Sequence, residues 1–216
     1  MLSSIIRGLL KPVRKLFAVL AIIKFIPHLV LFSKNSSRDI IEKDISRWID
    51  CTNSDVKRNT NWEKLIFFIS QFPEFRNLFY YRVQSDLYLG FGTLLSLAQF
   101  FYKPVDTLYI WCPLIGSGLF IQHGFSTVIA GKSIGENCWV NQQVTIGYSN
   151  DTDYPVIGNN VRITAGAKVI GAVTIGDNSI VGANAVVTKN VPSNCTVVGI
   201  PAYIIKREGK KTKEAL

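Results

Sequence analysis

The chain has 216 residues, 48% of them hydrophobic and 18% charged, a balance that excludes wholesale disorder and allows one or two domains with a buried core. Its 8 prolines and 16 glycines are too few for collagen-like or low-complexity sequence. The formal net charge of +9 sits at the ends: residues 1–38 hold seven basic and no acidic residues, and from Lys206 onward five basic residues stand against two acidic ones. A neutral body with basic ends does not read as a nucleic-acid-binding face. The four cysteines, at 51, 112, 138 and 195, show neither metal-ligand nor CxxC spacing. They fit a reducing, cytoplasmic compartment, and no metal is expected.

The amino end, residues 1–33, mixes basic and apolar residues (IIRGLLKPVRKLFAVLAIIKFIPHLVLF). Its longest uninterrupted apolar run, Leu16 to Ile23, is eight residues, against the ~20 that a spanning helix needs. No small-residue cleavage site follows it, as a signal peptide would require. Two readings remain: an amphipathic arm lying peripherally on the inner face of a bacterial membrane, or a helix packing on the protein or on a neighbouring copy.

Residues 34–104 read as a small all-α domain. Ile41, Ile45, Trp48 and Ile49 share one helical face. Thr60 and Glu63 form a capping box ahead of Leu65, Ile66 and Ile69. Pro73 opens a further helix carrying Phe75, Leu78, Phe79 and Arg82, and Leu94 to Tyr102 is a fourth, ended before Pro104. Composition then changes: eleven of thirteen phenylalanines precede residue 105 and thirteen of sixteen glycines follow it.

Residues 105–205 carry an aliphatic residue at every sixth position: Ile134, Val140, Ile146, then Ile157, Ile163, Val169, Ile175, Val181 and Val187. Glycine often follows directly. A period of six matches neither a helix nor strand alternation; it fits a short strand plus a corner, three units closing one triangular coil. Coils stacked at ~4.8 Å form a β-solenoid. Ile146 and Ile157 are eleven residues apart, so the polar segment between them, Gly147 to Pro155, leaves the coil as a loop. Residues 206–216 form a basic tail, read either as a helper for an anionic ligand or as a solvated end.

The stretches IGSGLFIQHGFSTVIAGKSIGENCWVNQQVTIGY, PVIGNNVRITAGAKVIGAVTIGDNSIVGANAVVTKNVP and VVGIPAYII resemble the serine O-acetyltransferase branch of the bacterial hexapeptide-repeat acyltransferases. The front segment with FRNLFYYR is similar to members associated with surface-polysaccharide biosynthesis. The resemblance implies a left-handed parallel β-helix, an exception to right-handed crossovers, assembled as a homotrimer with sites between subunits. It also implies acetyl-CoA as co-substrate and a histidine base.

The histidine of the matching Asp-His-Gly or Asp-His-Ala motif is His123, so the resemblance gives it the role of general base; an imidazole suits that role near neutral pH. The resemblance places an oxyanion donor near Gly147, with Asn141 and Tyr148 as candidate polar helpers. It lays the pantetheine arm against Ala165, Gly166, Ala167, Gly182 and Ala183. Lys168, Lys189, Lys206 and Arg207 are candidate phosphate partners. Three positions depart from the family pattern. Gln122 replaces an aspartate, Tyr154 replaces a histidine before proline, and the aspartate that partners the base falls near Leu108. Asp106, Asp151 and Asp153 are candidate substitutes, the loop residues reaching from a neighbouring subunit. An amino-acid acceptor needs fixed charges of both signs, so these losses favour a sugar hydroxyl of a surface or capsular polysaccharide as acceptor. The alternative is L-serine, feeding cysteine biosynthesis; a third reading is a non-catalytic solenoid scaffold.

Overall fold

The computed structural model describes residues 22–84 and 92–216; residues 1–21 of the apolar arm lie outside the described residues. Among the described residues the first elements are the helices α1 (Ile26–Lys34), α2 (Arg38–Thr52), α3 (Asn61–Gln71), α4 (Pro73–Val83) and α5 (Gly92–Phe101). Thr60 and Glu63 form the capping box that opens α3, satisfying two end N–H groups reciprocally. Pro73 stands in the first turn of α4, where its missing N–H costs nothing. Trp48 of α2 sits at the centre, edge-on to Phe68, Phe75 and Phe120, so helical domain and solenoid share one core.

The arm's last turns belong to this core. Phe25, Leu31 and Phe32 are buried, whereas Ile22, Ile23, Ile26 and Val30 are exposed. Among the described residues no helix is long and apolar enough to cross a membrane.

From Leu108 the chain forms a parallel, left-handed β-helix-like solenoid. Its first face stacks β1 (Leu108–Ile110), β3 (Thr127–Ile129), β6 (Thr145–Gly147), β9 (Lys168–Ile170) and β12 (Val186–Val187). The second face stacks β4 (Ser133–Ile134), β7 (Val156–Ile157) and β10 (Thr174–Ile175). The third stacks β2 (Phe120–Gln122), β5 (Trp139–Asn141), β8 (Arg162–Ile163), β11 (Ile180–Val181) and β13 (Cys195–Val198). The six-residue aliphatics point inward, with Ile146, Val169, Ile175, Val181 and Val187 wholly buried. Asparagines hold the left-handed corners: Asn160, Asn178 and Asn194 have φ of 55°, 59° and 58°. Their amides form a ladder, Asn160 Nδ2 to Asn178 Oδ1 and Asn178 Nδ2 to Asn194 Oδ1, both 3.0 Å. Asparagine tolerates this region better than most residues.

The basic tail is not the solvated end that was one of its two sequence readings: it forms strands. β14 (Tyr203–Arg207) and β15 (Lys210–Ala215) turn back antiparallel and extend the third face. The Lys-Lys-Thr-Lys-Glu run makes a charged edge strand, which ends the sheet without inviting another chain.

The opposite end is closed by side chains of α2 and α4. Asp44 and Arg82 are buried and paired at 2.9 Å. Arg82 also donates to the carbonyls of Ile115 at 2.5 Å and Gly116 at 2.7 Å, and Asp44 accepts from Gly118 N–H at 2.6 Å. Burial pushes the Asp44 carboxyl up, against the pull of Arg82 and of backbone N–H groups. Removing one partner of such a pair leaves a buried charge. Arg82→Met is therefore expected to lower unfolding free energy by about 3–5 kcal/mol in denaturant titration; a loss within the scatter of a surface substitution would contradict this account.

His28 of α1 is fully buried and shares a 2.9 Å hydrogen bond with Tyr80 Oη. Burial holds its imidazole down to about 4, from an ordinary 6.5. Between these values the unfolded chain binds a proton that the folded chain refuses. The contribution of His28 is thus fully present above pH 6.5 and is lost as pH falls towards 4, a change of about 3 kcal/mol. His28→Phe is expected to flatten the stability profile between pH 6.5 and 4.5, measured by urea unfolding at stepped pH. An unchanged slope would assign the acid sensitivity elsewhere.

Candidate functional site

His123 is exposed at the edge where the third face turns into the first. This corner differs from those beneath it. Gln122 pairs with Asn141, and Val128 pairs with Thr145. Five residues, 123–127, turn the first corner, and three, 142–144, turn the next. The two extra residues project the histidine. Gly124 sits at the centre of a γ-turn, Phe125 N–H to His123 C=O at 2.8 Å. His123 itself has φ of 54°, a conformation that must be held by its surroundings.

Its surroundings do hold it. Ser126 N–H donates to Thr107 Oγ1 at 3.1 Å, and Gly124 N–H donates to Glu74 Oε1 at 3.3 Å. A Cβ on Gly124 would lie 2.9 Å from both Ile121 and Leu108 side chains and 3.1 Å from Glu74 Cγ. Only glycine fits there.

Below His123 the same edge descends through Gln142, Ala165 and Ala183, following the coil register. Gln122 and Asn141 join across the first two coils, Asn141 Nδ2 to Gln122 Oε1 at 2.9 Å. Gln142 Oε1 is buried and has no hydrogen-bond partner among the described residues. Gly166 makes its corner at φ of 72°, Ala167 points inward, and Gly182 packs against Val198. Lys168 Nζ donates to Gln143 C=O at 2.6 Å at this edge. Past Gln142 the positions in register with His123 are alanines, Ala165 and Ala183, flanked by Gly166, Gly182, Lys168 and Asn184, a strip on which an extended ligand can lie.

The remaining sequence candidates fall elsewhere in the copy. Gly147 ends β6 and is buried at the other edge of the first face, where Tyr148 to Pro155 form the expected loop. β6 separates the corner at 142–144 from Tyr148. The rings of Tyr148 and Tyr154 pack within the loop, centroids 4.7 Å apart and tilted by 48°. Asp153 is spent on loop closure: it accepts from Ser149 N–H at 2.8 Å, Asn150 N–H at 2.9 Å and the Ser149 hydroxyl. The Ser149 hydroxyl and the Asn150 N–H hold its carboxyl below the usual range. Lys189 reaches the carbonyl of Leu216 at 2.7 Å, and Lys206 is exposed on β14; neither lies on the histidine edge. Leu108 is buried in β1, and Asp106 is exposed in the turn before it.

Sequence reasoning missed Glu74, because it searched for a carboxylate inside the repeat and along the loop. The acid that touches the histidine corner comes from α4, nearly fifty residues upstream. Pro73-Glu74 was visible as a helix start, but no sequence signal says which strand corner that start meets. Among the described residues no group of three or more His, Cys, Asp or Glu side chains is placed to hold a metal ion.

Residues 154–189 match the family model described as bacterial transferase hexapeptide (six repeats). The chain is 46% identical over 99 residues to the serine acetyltransferase of Synechococcus elongatus, covering 44% of this chain and 41% of that one. It is 48% identical over 101 residues to that of Staphylococcus xylosus, covering 45% and 47%. The chain thus matches less than half the length of these curated relatives. The fold is similar to the crystal structure of Neisseria gonorrhoeae serine acetyltransferase in complex with serine, with a TM-score of 0.63, 28% identity and coverage of 84% and 74%. These likenesses overturn the preference for a sugar acceptor: they are to serine acetyltransferases, and none ties the chain to surface polysaccharide. The solenoid of this chain is a hexapeptide-repeat, serine-acetyltransferase-like one.

Proposed function

We propose that the protein is an acetyl-CoA-dependent O-acetyltransferase whose acceptor is L-serine. The observation that carries this reading is the exposed His123, held on a lengthened corner above an edge of small residues, in a chain 46–48% identical to serine acetyltransferases over the matched stretch. His123 takes the serine hydroxyl proton as that oxygen attacks the thioester carbonyl. It returns the proton to the departing sulfur, giving O-acetylserine and free coenzyme A. Backbone N–H groups meet the charge that develops on the carbonyl oxygen.

Ala165, Gly166 and Ala183 leave room for the pantetheine arm. Gly147 and the 148–155 loop lie on the other edge of the same copy, so a site using them with His123 takes them from a neighbour. This supports a homotrimer with sites between subunits.

Wild-type enzyme is expected to release coenzyme A from acetyl-CoA with L-serine, followed with a thiol reagent. His123→Ala should lower kcat by about 100-fold or more. If His123→Ala keeps its rate, another group is the base; if no acetyl acceptor among amino acids is used, the serine reading fails.

The exposed Ile22, Ile23, Ile26 and Val30, with Lys24 beside them and no acidic residue before Asp39, support peripheral contact with an anionic membrane. Flotation with phosphatidylglycerol vesicles should carry the wild-type chain and leave behind a variant with Ile22, Ile23, Ile26 and Val30 all changed to serine. Equal behaviour of the two would remove this proposal.

A further inference from the structure

The histidine corner belongs to the outermost coil, and its neighbour on the far side is a helix. Four side chains of α4 reach that coil along one stripe of the helix. Asn77 bonds to Val105 and Leu108, Tyr81 to Cys112 C=O at 2.9 Å, and Arg82 to Ile115 and Gly116. Glu74, one turn before Asn77 and Leu78, extends the stripe to Gly124. The helix is anchored at several points beyond Glu74, so the carboxylate has little freedom to drift. It is half-buried, and its position in the first turn of α4 suits its charge.

We propose that Glu74 is a positioning residue for His123, acting through the backbone of Gly124. The γ-turn uses the carbonyl of His123 and the N–H of Phe125, which leaves the N–H of Gly124 to be fixed from outside. Glu74 Oε1 fixes it. The bond holds the two-residue excess of the corner against α4, and with it the left-handed φ of His123. A carboxylate from the helical domain thereby takes over a task for which the repeat itself has only Gln122 and Leu108. The same arrangement makes the all-α domain part of the catalytic apparatus.

The inference rests on His123 being the base, and the test separates the two. Three variants are compared with wild type: Glu74→Ala, Glu74→Gln, whose amide oxygen can still accept from Gly124 N–H, and Glu74→Asp, whose carboxylate is one methylene short. Amide hydrogen exchange of the peptide spanning 122–128 reads the turn without reference to activity. Exchange there should be faster by about 10-fold or more in Glu74→Ala and close to wild type in Glu74→Gln. In the acetyl-transfer assay Glu74→Ala should lose about 10-fold or more in kcat, with KM for acetyl-CoA and serine within two-fold, and Glu74→Gln should recover most of the rate. If Glu74→Ala does not fold, Glu74→Asp takes its place in both measurements. Unchanged exchange, or an unchanged kcat in an active enzyme, overturns the proposal. So does a Glu74→Gln variant with raised serine KM and normal exchange, which would place the carboxylate on the acceptor instead. Altered exchange in a protein that transfers no acetyl group at all would refute the catalytic reading while leaving the brace on His123 intact.

Discussion

A β-solenoid has two outermost coils, and each carries backbone groups that no further coil can pair. Unpaired polar groups at a buried end are costly, so the end must be covered by something with hydrogen bonds to give. Here the amino end is covered by side chains. The carbonyls of Val105, Leu108, Cys112, Ile115, Gly116 and Leu119 receive donors from Asn77, Tyr81, Arg82 and Trp48. The N–H groups of Gly118 and Gly124 give to Asp44 and Glu74. Two helices do the work of the missing coil. Their apolar faces supply the other half of the closure, since Trp48 and Phe75 pack where a further ring of aliphatics would have been.

The Asp44–Arg82 pair shows why this cover is polar at its centre. A hydrophobic pair of the same volume would save the desolvation of two charges. It would also leave Gly118 N–H and two carbonyls without partners, because those groups point out of the coil regardless of what meets them. The ion pair is retained as a bridge between helix and backbone more than as an attraction between two side chains. At the other end the problem is solved differently. The antiparallel hairpin of β14 and β15 continues the third face and finishes in an edge of lysines, with Arg207 and Glu214 paired across it at 2.6 Å.

How much of this was legible in sequence follows from the range of the interactions. The six-residue rhythm is local, and the solenoid, its corners and its loop could all be read from spacing. The capping box at Thr60 and the helix start at Pro73 are local too. The ordered tail was missed because Lys-Lys-Thr-Lys-Glu has the composition of a solvated end; only pairing with Tyr203–Arg207 makes it a strand. The corner holding His123 was legible as a motif but not as a geometry. Its two extra residues appear only when Gln122 and Val128 are set against Asn141 and Thr145. Glu74 was invisible for the same reason: the contact spans fifty residues and joins a helix to the solenoid, and nothing in Pro-Glu-Phe-Arg says what lies across from it.

Acceptor choice depends on more than the residues of the repeat. Gln122, Tyr154 and Leu108 are departures from a pattern of residues along the repeat, and their absence suggested that the site had lost its acids. A site at the end of a solenoid is not built from the repeat alone. Its outer wall is whatever caps the coil, and here that wall puts Glu74 on the N–H of Gly124. Charge at such a corner is a property of the capped coil as a whole. A departure inside the repeat therefore does not by itself decide acceptor class, because the corner is assembled from the repeat and from α4, which brings Glu74 to the residue next to the histidine.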